Sequence, residues 1–291
     1  MSRVPVIVVR AAGINCDEET MHCWRLAGAT PRLWHIQELA ERPALLDECA
    51  VLAIPGGFSY GDDIAAGAIL AQRVMHDLAE PMRRLVDRGG GILGICNGFQ
   101  VLVKAGLLPG GECGPDQVTV TYNDSAHFEA RWVRLEVCTD HCPYLSRVPV
   151  GAEPRTTSAA RSGRSGPAAA VMEEPSDQMV RRFLEMPVEH GEGKVVTADD
   201  AVTRQLEAAG QIALRYVSES GRYDEYPANP NGSTAGIAGL CDPTGRVFGL
   251  MPHPDRHFDH TQHPLWTRRK KEGPADGLTV FLNAVEYWKS A

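Results

Sequence analysis

A cysteine between two glycines is the residue of this chain whose type and position most clearly suggest a chemical reaction. The stretch Gly94-Ile95-Cys96-Asn97-Gly98 follows an apolar run and precedes an apolar helical pattern. This G-x-nucleophile-x-G spacing is typical of a nucleophile elbow, a tight strand-to-helix turn that exposes the reactive atom. The sulfur then lies near the first turn of a helix, where free N–H groups and the helix dipole favour a thiolate. The alternative is a buried cysteine in a glycine-rich turn, and the pentapeptide fits both interpretations.

A nucleophilic cysteine needs a base, and the base needs a group that orients it. The segment "MPHPD" offers His253 and Asp255 directly after a second buried apolar run. Pro252 and Pro254 favour an extended backbone, which places the two side chains on the same side of the segment. The aspartate could accept a hydrogen bond from the imidazole and so select its tautomer. The alternative is a surface turn, because His-Pro pairs are common in loops.

Alternating strand and helix patterns are expected to position these residues. The apolar runs at 5–10, 50–55 and 91–95 predict strands that are buried on both faces. Helices are predicted at 17–28, with Asp17 as N-cap and Gly28 as the stop, at 39–48, at 64–88 and after Cys96. A strand is predicted at 33–36, and in the second half strands are predicted near 117–122, 131–137, 184–189, 211–217, 236–240 and 246–250, with helices near 199–209 and 277–288. This alternation predicts an α/β fold with a central, mostly parallel sheet flanked by helices, and a site at the carboxyl ends of its strands.

Composition narrows the class of protein. The 291 residues carry a formal net charge of −8 and are 43% hydrophobic, which is ordinary for a globular protein and unfavourable for binding nucleic acid. No apolar run is long enough to cross a membrane, and the strand-like start does not resemble a signal peptide, so we expect a cytoplasmic location. The eight cysteines are interpreted mostly as small buried hydrophobic residues rather than as disulfides.

Several motifs, taken in order, resemble one known family. "LGICNGFQ" followed far downstream by "MPHPD" is similar to the class I (triad) glutamine amidotransferases. The stretches "GINCDEE", "IPGGFSYGDD", "GLLPG", "HGEGK", "NPNGS" and "GLMPHPDRHFD" resemble the glutaminase subunits of phosphoribosylformylglycinamidine synthase. The resemblance implies a flavodoxin-like amidotransferase fold over a single domain, 1–291. We expect a mobile insertion at 149–178, which is rich in Pro, Ser, Gly, Ala and Arg, and a C-terminal extension after 259.

The resemblance also implies roles for individual residues. It places the nucleophile on Cys96, the general base on His253 and the third triad member on Asp255, where the family usually has a glutamate. The aspartate is one methylene shorter, but it can still orient the imidazole. The backbone N–H groups implied for the oxyanion hole are those of Gly56, Gly57 and Asn97.

Two further residues are implied to contact the substrate. Gln100 matches a residue that lines the glutamine pocket, and His190 in "HGEGK" is expected at the mouth of the site or at the partner contact. The alternative for His190 is a strand-end turn. The chain departs from the family near Ala65 and Ala66, where a basic residue is expected and none is present.

The resemblance implies an activity and a set of partners. Glutamine is hydrolysed to glutamate and ammonia through a cysteine thioester, and the ammonia passes to a synthetase subunit. That subunit converts formylglycinamide ribonucleotide to formylglycinamidine ribonucleotide in purine biosynthesis. A small accessory subunit is a further candidate partner. No phosphate-binding glycine motif is present in this chain, so no cofactor is expected here, and ATP and magnesium are expected on the synthetase.

Other functions are weighed against this one. The spacing of His253, His257, His260 and His263 does not fit a closed tetrahedral site, so no metal is expected. A stand-alone cysteine hydrolase, such as a γ-glutamyl hydrolase or peptidase on the same scaffold, remains the main alternative. A non-catalytic interaction subunit is disfavoured because Cys96, His253 and Asp255 are all present.

Overall fold

Strands and helices alternate through most of the chain. The structure is a computed structural model that describes residues 3–114, 116–146, 182–269 and 272–290, so the insertion predicted at 149–178 lies outside the described residues. The strands are β1 (Pro5–Arg10), β2 (Thr30–His35), β3 (Val51–Ile54), β4 (Gly91–Ile95), β5 (Val118–Tyr122), β6 (Glu129–Val137), β7 (Arg182–His190), β8 (Glu192–Thr197), β9 (Ile212–Tyr216), β10 (Ile237–Cys241) and β11 (Val247–Leu250). The α-helices are α1 (Asp17–Leu26), α2 (Ile36–Glu41), α3 (Ala68–Asp77), α4 (Ala79–Asp87), α5 (Asn97–Lys104), α6 (Asp200–Ala208) and α7 (Asp276–Ser290).

A nine-stranded sheet forms the centre of the fold, in the order β2-β1-β3-β4-β11-β10-β9-β6-β7. The first five strands in this order are parallel, and the other four extend the sheet in antiparallel fashion. Every residue of β3, β4, β9, β10 and β11 is buried, as expected of strands covered on both faces. The predicted α/β class is confirmed. A separate antiparallel pair, β5 and β8, makes a second small sheet.

The register of three neighbouring strands determines where the functional loops meet. Strand β4 lies between β3 and β11, and it pairs Gly94 with Ile54 and Ile95 with Leu250. Because these strands are parallel, all three end at the same edge of the sheet. That edge therefore gathers the residues that follow the three strands: Gly56 and Gly57, Cys96, and His253.

Prolines interrupt two of the predicted helices. The helix predicted at 39–48 is instead α2 followed by a 3₁₀ turn at Pro43–Glu48, because a residue before proline is driven out of the helical region. The helix predicted at 64–88 begins only at Ala68, and it is divided into α3 and α4 at Leu78, whose φ is −125°. Pro81 is tolerated in the first turn of α4, where no intrahelical N–H bond is required.

Other local predictions also needed correction. The N-cap of α1 is Cys16, and Asp17 is the first helical residue instead of the cap. Strand β2 begins three residues earlier than predicted, at Thr30. Strand β8 was not predicted, because its glycine and lysine weaken the apolar pattern. No helix within the described ranges is long and apolar enough to cross a membrane.

The contact between α5 and the end of β3 is closer than a side chain allows. A Cβ atom at Gly98 would lie 1.9 Å from the carbonyl oxygen of Ile54. A Cβ atom at Gly94 would lie 2.6 Å from Leu102 Cδ1 and 2.7 Å from the Gly98 carbonyl oxygen. The two glycines are therefore needed so that helix, strand and turn can approach one another.

We predict that Gly98→Ala lowers the free energy of unfolding by about 2 kcal/mol or more, the scale of overpacking in a core. The loss should occur although alanine is intrinsically the better helix former. Urea denaturation measures it. Gly114→Ala is the matched control, because a Cβ atom there meets no atom of the described residues within 4 Å. Equal stability of the two variants would contradict the inferred close contact.

Candidate active site

Cys96 occupies a strained turn between β4 and α5. Its φ of 50° and ψ of −105° lie outside the helical and extended regions. A left-handed φ in a residue other than glycine costs about 1–3 kcal/mol and is found disproportionately at functional sites. Cys96 is 5% exposed and lines a cavity of about 140 Å³. The backbone therefore holds the sulfur at a small opening, in the geometry of a nucleophile elbow.

His253 and Asp255 lie together beyond the end of β11. The imidazole Nδ1 is 3.2 Å from Asp255 Oδ1, and both side chains are almost completely buried. The Nε2 atom is buried and has no hydrogen-bond partner within the described residues, although the Cys96 sulfur is close enough to affect the imidazole. Burial lowers the pKa of His253, but the charge of Cys96 and the hydrogen bond to Asp255 outweigh it, so the pKa lies well above its usual value. The site therefore favours an imidazolium beside the Cys96 sulfur.

The loop after β3 packs directly against His253. A Cβ atom at Gly56 would lie 2.7 Å from His253 Cε1, so only glycine leaves room for the imidazole. Gly57 has a φ of 140° and lines the Cys96 cavity. The Asn97 side chain ties this loop to α5, because it accepts a hydrogen bond from the Ser59 N–H at 3.3 Å. The three residues predicted for the oxyanion hole thus lie around Cys96 and His253, and their role as donors stays a prediction.

Gln100 and His190 both line the Cys96 cavity. The Gln100 amide donates to the carbonyl oxygen of Glu192 and accepts from Asn97 Nδ2 at 3.0 Å. His190 is 3% exposed, and its Nδ1 lies 3.1 Å from Asn123 Oδ1. Burial, assisted by the charge of His253, lowers the pKa of His190 to about 4. His190 is thus a neutral wall of the cavity at pH 7. It is also the last residue of β7, at a strand-end turn, so its contact with substrate or partner stays a prediction.

The cavity has further walls that the sequence analysis did not single out. Glu192 accepts hydrogen bonds from the Ala66 N–H at 3.3 and 3.2 Å, where a basic side chain was expected. The Cys96 sulfur lies 3.6 Å from the carbonyl oxygen of Glu189. The full lining is Gly57, Phe58, Asp62, Ala66, Cys96, Gln100, Tyr122, Phe128, Glu189, His190, Gly191 and Glu192.

Cys16 is a second cysteine at the site, and the sequence did not lead us to expect it there. Its sulfur lies 3.3 Å from Arg256 Nη2, and its potential ligand atom lies within 4.8 Å of those of His253 and Asp255. Burial raises the pKa of the Cys16 thiol, which keeps it neutral. Because His253 Nδ1 is already bonded to Asp255, the three groups form a hydrogen-bonded cluster instead of an open cation site. The motif "GINCDEE" was the available signal, but no spacing rule connected it to His253.

The histidines beyond the site pack around an aromatic ring. The rings of His257 and His263 contact Trp132 edge-on, at centroid distances of 4.8 and 4.6 Å. A larger cavity, about 650 Å³, lies beside Trp132 and shares no lining residue with the Cys96 cavity. Its three arginines already have partners: Arg131 pairs with Glu129, Arg269 pairs with Glu185, and the Arg134 guanidinium lies 3.8 Å from the centre of the Phe183 ring. Cys96 lines the smaller cavity, which we therefore take as the candidate active site.

Comparison with protein-family models matches this chain to one domain family. The matching model describes a CobB/CobQ-like glutamine amidotransferase domain, and it covers residues 3–152 and 168–288.

Full-length relatives and solved structures agree with that match. The chain is 38% identical to phosphoribosylformylglycinamidine synthase subunit PurQ of Dehalococcoides mccartyi, over 99% of this chain and 98% of that protein. It is 35% identical to the subunit of the same name from Archaeoglobus fulgidus, over 98% and 97% of the two chains. The structure of PurLQS from Thermotoga maritima contains a chain that superposes with a TM-score of 0.67 and 27% identity, over 99% of this chain and 100% of that one. A glutamine amidotransferase of the same organism, at 13% identity and a TM-score of 0.51 over 99% and 98% of the two chains, shares the fold.

The buried His190 should make stability depend on pH. Its pKa is about 4 in the folded chain and about 6.5 when unfolded, so between these values only the unfolded chain is protonated there. The contribution of His190 to the free energy of unfolding is therefore lost as the pH falls from 6.5 towards 4, by about 1.4 kcal/mol per pH unit. Urea denaturation at pH 7 and 4.5 should show a smaller loss for His190→Gln than for the unmodified chain. Parallel losses would contradict a neutral, buried His190.

Proposed function

The chain belongs to the family of CobB/CobQ-like glutamine amidotransferase domains, and we infer that it is the glutaminase subunit of phosphoribosylformylglycinamidine synthase. Relatives of that name align with it over nearly their full length. The observation that supports the chemistry is the strained Cys96 turn beside the buried His253–Asp255 pair, at the shared edge of β3, β4 and β11.

The geometry supports attack by Cys96 on the side-chain amide carbon of glutamine. The sulfur forms the new bond, and the carbonyl oxygen takes the negative charge of the tetrahedral intermediate. We propose that backbone N–H groups of Gly56, Gly57 and Asn97 stabilise that oxygen, and each such donor typically lowers the barrier by about 3 kcal/mol. Collapse breaks the carbon–nitrogen bond, and the His253 imidazolium protonates the departing nitrogen. Ammonia leaves, and a γ-glutamyl thioester remains on Cys96.

Hydrolysis of the thioester completes the cycle. His253, now neutral, removes a proton from water, and the resulting hydroxide attacks the thioester carbon. The carbon–sulfur bond breaks, glutamate is released, and Cys96 returns as a thiolate beside the imidazolium. Asp255 orients the imidazole in both steps through its contact with Nδ1.

The ammonia is used by a synthetase subunit. Only unprotonated ammonia is a nucleophile, and bulk water at neutral pH would protonate most of it, so direct delivery keeps the ammonia reactive. A partner synthetase is consistent with the word subunit in the names of the relatives and with the PurLQS assembly. We propose that ATP and magnesium bind the synthetase, where formylglycinamide ribonucleotide is activated, and that a small accessory subunit completes the complex.

We predict that Cys96→Ala lowers glutamine hydrolysis by at least about 10³-fold, as removal of a triad nucleophile does elsewhere. The variant should still fold, because Cys96 fills a turn at a cavity. Assayed with the synthetase, it should still support amidine formation when ammonium chloride replaces glutamine. Cys138→Ala, at an exposed cysteine, is the matched control and should keep full activity.

The same assay separates the two candidate functions. Glutaminase activity of the chain alone should be low and should rise when the synthetase and its nucleotide substrates are titrated in. Strong activity that the synthetase does not change would favour a stand-alone cysteine hydrolase. Appreciable glutamine hydrolysis by Cys96→Ala would contradict the assignment of the nucleophile.

A further inference from the structure

The second oxygen of the Asp255 carboxylate is held from a distant helix. We propose that Thr20 of α1 is a positioning residue that locks the triad aspartate through a hydroxyl hydrogen bond. Thr20 Oγ1 lies 3.1 Å from Asp255 Oδ2, while Asp255 Oδ1 faces His253 Nδ1 at 3.2 Å. Thr20 and Asp255 are both completely buried, at 0% exposure. The assignment rests on the proposed glutaminase activity for one of its readouts.

The direction of the Thr20 hydrogen bond follows from the local backbone. The hydroxyl has one proton and two acceptors within reach, Asp255 Oδ2 and the carbonyl oxygen of Cys16 at 2.8 Å. That carbonyl already accepts the Thr20 N–H, at 3.0 Å. The carboxylate, which carries the charge, is the stronger acceptor. The Thr20 hydroxyl therefore donates its hydrogen bond to Asp255 Oδ2.

A short carboxylate needs this support. Rotation about the last side-chain bond of Asp255 would swing Oδ1 away from the imidazole, because a carboxyl torsion is broad and weakly restrained. The Thr20 hydroxyl opposes that rotation, and its own side chain is stiff because threonine is branched at Cβ. Without it, Oδ2 would lose its hydrogen bond within the described contacts, and a buried acceptor without a partner is unfavourable.

Helix α1 is itself fixed to the site at its first turn. The Cys16 N–H donates to the Gly56 carbonyl oxygen at 3.3 Å, so the N-terminus of α1 is tied to the loop that packs on His253. The Cys23 sulfur lies 3.7 Å from the backbone oxygen of Asp255. Thr20 thus projects from an element that is anchored on both sides of the triad aspartate.

Other charged and titratable groups surround the His253–Asp255 pair. His253 faces Cys96, Cys16 and the neutral His190, and Asp255 is also close to Arg256. Arg256 is engaged by Glu189 and, at 3.3 Å, by Glu19. Thr20 carries no charge, so its replacement changes the orientation of Asp255 without changing the charge of the cluster.

The test compares Thr20→Val, which keeps the shape and removes the hydroxyl, with Thr20→Ser, which keeps the hydroxyl. In the complex with the synthetase, Thr20→Val should lower kcat for glutamine hydrolysis by about tenfold or more, the effect of losing a hydrogen bond to a charged group. KM should stay within about twofold, because Thr20 does not touch the cavity. Thr20→Ser should stay within about threefold of the unmodified kcat, because the hydrogen bond is retained.

A second readout does not depend on the identity of the substrate. The rate of alkylation of Cys96 by iodoacetamide, followed against pH, reports the thiolate. A poorly held Asp255 stabilises the imidazolium less, so Thr20→Val should shift the rise of this profile to higher pH. Thr20→Ser should leave it in place. Thermal unfolding establishes that the variants are folded, and Thr20→Ala replaces Thr20→Val if the latter does not fold.

Two results would overturn the role of Thr20. One is a Thr20→Val protein with unmodified kcat and alkylation profile, and the other is equal impairment of the valine and serine variants, which would indicate packing alone. Failure of the proposed function looks different. The unmodified chain would then not hydrolyse glutamine in the complex, while the alkylation profiles would still decide whether Thr20 holds Asp255.

Discussion

The close approach of α5 to the end of β3 is the constraint on which the site depends. Gly98 lies so near the Ile54 carbonyl oxygen that no side chain fits between them. This contact forces the chain to turn within one residue after β4, and Cys96 takes the strain of that turn with a positive φ. The same turn directs the sulfur towards the ends of β3 and β11. Cys96, the loop after β3 and His253 therefore meet because of backbone packing.

The electrostatics of the site follow from that geometry. Cys96, His253 and Asp255 are all buried. An isolated charge would be unfavourable in such a buried site. The Asp255 carboxylate contacts Nδ1 of the imidazole, Cys96 is close enough to raise the pKa of His253, and Thr20 bonds the remaining carboxylate oxygen. His190 stays neutral beside them, so it adds no competing positive charge. The cluster can thus exchange one proton between sulfur and imidazole without exposing a charge to an apolar surrounding.

Much of the fold could be predicted from local patterns. The continuous apolar runs of β1, β3 and β4 identify buried strands, because a strand covered on both faces shows no alternation. Predictions were wrong where a single residue outweighs the pattern, as at Pro43 and Pro81, which divide helices that the periodicity joins. Strand β8 was missed because it pairs with β5 across 70 residues of chain and owes its existence to that pairing.

The residues predicted for the reactive centre are likewise visible in the sequence. Cys96 stands in a glycine-framed motif, and His253 and Asp255 are two residues apart, so their chemistry is visible within short segments. Thr20 is different, because its partner lies 235 residues away and no local pattern connects α1 with the turn after β11. Only the tertiary structure brings that hydroxyl to the carboxylate, since it depends on how a helix packs against the edge where the three strands end. Short-range spacing identified the candidate reactive residues, and long-range packing decided which groups contact them.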